Sequence, residues 1–122
     1  MGLVYDRHLL AAAGSTGNNT HAAVKIGADY MALAFQFVVE AVGGTPTVTW
    51  KFQGSPDGTN WYDIAYITDA TDTVAVATIV STATGGKIVF LANATSRKYK
   101  YFRCVTSANT NVTYRAEIYP SD

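Results

Sequence analysis

The stretch from Val48 to Ile64, VTWKFQGSPDGTNWYDI, constrains the fold more than any other. Val48, Trp50 and Phe52 alternate with Thr49, Lys51 and Gln53, so an extended chain sends bulky apolar groups to one face and polar groups to the other. That is the pattern of a half-buried strand. Ser55, Pro56, Asp57 and Gly58 then interrupt it with turn chemistry: Pro56 presets φ, Asp57 accepts from nearby backbone N–H groups, and Gly58 takes a positive φ without a Cβ clash. Trp61, Ile64 and Tyr66 resume the apolar character, so the stretch reads as a β-hairpin.

The same period recurs on both sides. Met31 to Glu40 places Met31, Leu33, Phe35, Phe37 and Val39 on one face. Its other face, Ala32, Ala34, Gln36, Val38 and Glu40, is small and apolar for solvent, which points to cover by a second sheet or a second subunit. Further strand signals lie at Ala22–Ile26, Trp61–Thr68, Val74–Val80, Lys87–Ala92, Arg97–Thr106 and Val112–Tyr119, with Gly43–Pro46 and Ser107–Asn111 read as connections between separate strands. About eight strands at such spacing predict an all-β fold, a single antiparallel β-sandwich, jelly-roll-like, over residues 21–122. Residues 1–20 read as an N-terminal arm. Two versions of the arm stand open: a frayed terminus or ordinary first strand, or a segment that ties down on a neighbouring subunit.

Composition excludes some partners. The chain of 122 residues carries 9 Lys+Arg and 9 Asp+Glu, so no net field draws in nucleic acid or an anionic membrane. Its charged fraction of 15% is below the roughly 25% of an average domain, which suits a surface partly covered by other chains. The run LLAAA is too short for a signal-peptide core or a bilayer span.

Chemistry-bearing patterns are sparse. His8 and His21 have no metal-ligand spacing, Cys104 is the lone cysteine and reads as a buried apolar residue, and no G-x-S-x-G elbow occurs. Asp57 and Asp63 would serve as paired carboxylates for glycoside chemistry, but a turn-forming and a solvent-facing Asp explain them as well. Neither cofactor nor metal is expected, and no enzymatic activity. SPDGTNW resembles the Asp-box turn of β-propeller enzymes but sets Asp57 directly before Gly58, and one copy builds no propeller. RKYKYFR, Arg97 to Arg103, interleaves basic and aromatic residues as a single-strand nucleic-acid platform does. Alternation, however, splits its charge between faces, Arg97, Tyr99, Tyr101 and Arg103 on one and Lys98, Lys100, Phe102 and Cys104 on the other, and does not say which faces inward.

The combination FQGSPDGTNWYDI, then YKYFRCVTSA, then the closing NVTYRAEIYP resembles small β-sandwich proteins of tailed-phage virions, over Val48 to Pro120. The resemblance implies a capsid decoration or cement protein: non-enzymatic, on the outer capsid surface, binding the major capsid protein as a homo-oligomer, a trimer first and a dimer next, with no nucleic acid and no membrane. The matching residues Ser55, Pro56, Asp57, Gly58 and Trp61 form the hairpin and carry no binding role. Candidate interface residues are Leu3, Val4, Tyr5, Leu9 and Leu10 of the arm with Tyr99 and Tyr101. The alternatives are a tail or neck component with the same sandwich, or a carbohydrate-binding module with Trp61, Tyr62, Tyr66, Tyr99 or Tyr101 as stacking platforms.

Overall fold

The computed structural model describes residues 8–26, 32–68, 74–75, 78–91 and 99–121. Among them the chain forms nine strands and no helix: β1 His8–Ser15, β2 Val24–Lys25, β3 Ala32–Ser55, β4 Tyr62–Asp63, β5 Tyr66–Thr68, β6 Val74–Ala75, β7 Ile79–Ser81, β8 Gly85–Leu91 and β9 Tyr101–Ser121. Every pairing is antiparallel, and the expected all-β sandwich is what the chain adopts.

Its frame is a ribbon of two long strands. β3 pairs β9 from Ala32↔Ser121 to Ser55↔Tyr101, with register shifts between Val39 and Thr49. There the ribbon folds over. The half made of 32–42 and 112–121 also pairs β8 and β1, while the half made of 47–55 and 101–110 pairs β7, β4 and β2. β5 and β6 extend the first half beyond β8. The inner faces of the two halves meet ring on ring. Phe35 stacks on Phe52 and Phe37 on Trp50, each pair at 4.6 Å between centroids, and Phe35 meets Phe102 edge-on at 5.7 Å. These rings are buried with Leu33, Val39, Val48, Val89, Tyr114 and Ile118. The period-two faces of the two most strongly patterned segments therefore make one shared core.

Two sequence expectations need correction here. Gly43–Pro46 and Ser107–Asn111 do not separate strands; they are bends within continuous β3 and β9. On β3 four residues lie between Val42 and Thr47, while on β9 only Asn111 lies between their partners Val112 and Thr110, so β3 takes the longer way round. Gly44 sits there at φ +53, a left-handed conformation that glycine takes without a Cβ clash. Ala108 and Asn111 take φ of 50° and 57°. The second correction concerns Trp61–Thr68, which splits into β4 on β3 and β5 on β8, the chain changing layer at Ile64 and Ala65. Val74–Val80 likewise contributes to two strands, β6 and β7.

Within the stretch read as an arm, His8–Ser15 is strand β1 on the edge of β9, and the polar link after it is sewn down. Asn18 Oδ1 accepts from Asn109 N at 2.8 Å, and Asn19 N donates to Thr106 Oγ1 at 3.0 Å. Thr106 Oγ1 and His21 Nε2 lie 2.9 and 2.7 Å from the buried Tyr114 hydroxyl. Partial burial lowers the pKa of His21 from its ordinary value, because the charged ring would lose solvation.

Candidate functional site

The hairpin turn is built as its residues dictate. Ser55, fully buried, accepts at Oγ from Gly58 N at 2.8 Å, and Gly58 takes φ +80 beneath the Tyr101 ring. Asp57 Oδ1 accepts from Thr59 N and Asn60 N, both at 2.8 Å, and Oδ2 from Asn60 Nδ2 at 2.8 Å. Those donors favour the charged form and hold the Asp57 carboxyl well below the ordinary value of 3.8. A group whose pKa is depressed on folding adds stability above its unfolded pKa and loses it as pH falls. We therefore expect Asp57→Ala to melt at a lower temperature than the parent at pH 7, with the gap narrowing steadily below pH 3.8. Thermal melts of both proteins at pH 7, 4 and 2.5 check this; a gap that does not depend on pH would contradict it.

Beyond the turn, the outer face of the second layer carries a cluster of polar side chains that bond to one another. The Arg103 guanidinium lies 4.2 Å over the Trp61 ring and its Nε donates to Gln53 Oε1 at 2.8 Å. Gln53 Nε2 donates to Asp63 Oδ1, also 2.9 Å from Lys51 Nζ. The Gln53 and Lys51 donors lower the Asp63 pKa. Asp57 and Asp63 are thus both acceptors held in the ionised form, whereas the acid of a carboxylate pair needs a raised pKa.

The aromatic candidates are mostly occupied by their own chain. Tyr66 is fully buried, and its hydroxyl accepts from Phe52 N and donates to Phe52 O at 3.0 Å. Trp61 is covered by Arg103, and Tyr101 has Gly58 against its ring and Lys25 Nζ 5.8 Å from its centroid. Tyr99 lies on Gly54, where a Cβ would meet the ring at 2.6 Å, so any larger residue at 54 displaces it. Only Tyr62, at 52%, is widely exposed among these rings.

Of the remaining interface candidates, Leu3, Val4 and Tyr5 lie outside the described residues. Leu9 is exposed at 48%, while Leu10, at 2%, belongs to the domain's own core and offers nothing to another chain. Cys104 is buried, and burial pushes its thiol up to about 12, which makes it inert as a nucleophile. Among the described residues no three His, Cys, Asp or Glu side chains gather to hold a metal ion.

What the sequence reading missed is an apolar patch assembled by register. The outer face of the first layer brings Ala34 between Phe90 of β8 and Tyr119 of β9, and Gln36 between Ile88 and Glu117, with Leu9 of β1 opposite Glu117. Phe90 is 40% and Ile88 38% exposed. The charges of this face are engaged within the chain: Arg115 Nη1 is 3.2 Å from Glu40 Oε2, and its Nε is 3.5 Å from Oε1 of the buried Glu117. The small outward residues of β3 signalled half of this face; its β8 half follows only from the β3–β8 register.

No protein-family model and no curated protein matches the sequence. Among solved structures the chain is similar to the SPBc2 prophage-derived protein YomS, with a TM-score of 0.66 and 10% sequence identity over 98% of this chain and 96% of that one. The two share a fold from end to end.

Proposed function

We propose that this protein is a non-enzymatic structural component of a tailed-phage particle, a decoration protein that binds the outer surface of the capsid as an oligomer and cements it. The observation that carries the reading is the end-to-end fold shared with a prophage-derived protein. The motif resemblance from Phe52 to Pro120 points the same way, as does the placement of the candidate carboxylates, engaged as acceptors in the turn and the Gln53–Lys51 cluster. The exposed apolar side chains Ile88 and Phe90 on the outer face of the first layer suit a module that meets other chains.

Cementing follows from mass action. A molecule that binds only the assembled shell stabilises it by RT ln(1 + [L]/Kd), about 2.7 kcal/mol per site at a hundredfold excess over Kd, and many copies multiply the effect. Heads carrying the protein are expected to survive a heat challenge several degrees above heads assembled without it. Equal inactivation temperatures, read by release of packaged DNA, would remove the cementing role.

A further inference from the structure

We propose that the cleft where the folded ribbon bends binds a neutral, hydroxyl-rich ligand of one or two sugar rings. The inference goes beyond the capsid reading and rests on how this end of the sandwich is built.

Three pieces of chain close the cleft: the link at Thr16 and Gly17, β3 at 41–43, and the β9 bend around Asn109 and Asn111. Its volume is about 370 Å³, within the range of clefts that hold small molecules. The walls are fixed before any ligand arrives. Asn109 Nδ2 donates to Gly17 O at 3.2 Å and to Val112 O at 3.1 Å, and its Oδ1 accepts from Val112 N at 3.1 Å, so one side chain ties the link to the β9 bend. That bend holds Ala108 and Asn111 at φ of 50° and 57°, a left-handed conformation that is unfavourable for alanine above all.

Chemistry selects the ligand. No residue lining the cleft is charged, so an anion or a cation finds no partner there, while a neutral ligand displaces water from no ion. The polar side chains are amides and hydroxyls. Thr16, Thr113 and Asn111 can each both donate and accept, and so can a sugar hydroxyl. Asn109 is used up in its own bonds, whereas Asn111 is exposed and its amide bonds to none of the described residues, which leaves both ends of it to a ligand. Beside these groups Ala41 and Val42, the latter 41% exposed, offer an apolar surface to the C–H face of a pyranose ring.

An amide NMR titration of the full chain with methyl glucoside, methyl galactoside, methyl mannoside and N-acetylglucosamine tests this. At least one of these sugars is expected to move the amides of Val42, Gly43, Asn111 and Thr113 along saturable curves, with a Kd of about 1 to 10 mM. Asn111→Gly keeps the left-handed φ and removes the side-chain amide; Thr113→Val keeps the side chain's shape and removes its hydroxyl. Each is expected to weaken binding about 10-fold, with the amide spectrum away from the bend matching the parent's. Bend amides that stay in place with every sugar at about 50 mM overturn the proposal. So do shifts confined to Tyr62 and Tyr99, or a Kd that neither folded variant changes. The titration uses no capsid, so its outcome and that of head binding are read separately.

Discussion

Trp50→Ala is expected to cost about 3–5 kcal/mol and to lower the melting temperature by about 12–20 °C. Trp50 is fully buried where the two halves of the folded ribbon meet. Its ring stacks on Phe37 at an interplanar angle of 7°, touches Phe52 edge-on at 5.5 Å, and its Nε1 donates to Ser81 Oγ at 2.9 Å, fixing β7 to β3. Alanine removes all of this and leaves a cavity between two layers whose own long strands restrict collapse. Against a total stability of about 5–15 kcal/mol, much of the margin goes. A denaturant titration with a midpoint within error of the parent would contradict the account of the core.

Tyr66→Phe removes one oxygen and is expected to cost about 1–3 kcal/mol, large for a change that keeps the ring. On the free side of β3, β7 covers Val48–Trp50 and β4 covers Gln53–Gly54, so the ladder has a gap at Phe52. The Tyr66 hydroxyl fills it, serving both the N–H and the C=O of Phe52, while Ile64 N shares that carbonyl at 3.3 Å. Without the oxygen, the Phe52 N–H is buried with no acceptor on that side. Equilibrium unfolding of the variant measures the cost, and amide exchange at Phe52 should quicken selectively. A loss under 0.5 kcal/mol would mean that water or a strand shift takes the hydroxyl's place.

Much of this architecture is written locally. Leu33, Phe35, Phe37 and Val39, like Val48, Trp50 and Phe52, announce their buried face by period alone, and the Ser55–Gly58 turn forms from its own side chains. What escaped is non-local. Gly43–Pro46 and Ser107–Asn111 carry turn residues, yet each sits opposite the other in one ladder, and two chains bending together look locally like two separate turns. The inward face of Phe102 and Cys104 was undecidable from alternation because Tyr99, Tyr101 and Phe102 are all aromatic; pairing of Phe102 with Gly54 and of Cys104 with Phe52 decides it. The apolar patch was half legible, in the small outward residues of β3, while Ile88 and Phe90 reach it through a register no local pattern encodes.

The most direct measurement is cosedimentation of the purified protein with phage heads assembled without it. Saturable binding to expanded heads, at a fixed ratio to the major capsid protein and with none to the unassembled subunit, is the predicted result. Heads that pellet while the protein stays in the supernatant, at concentrations well above micromolar, would contradict a place on the capsid.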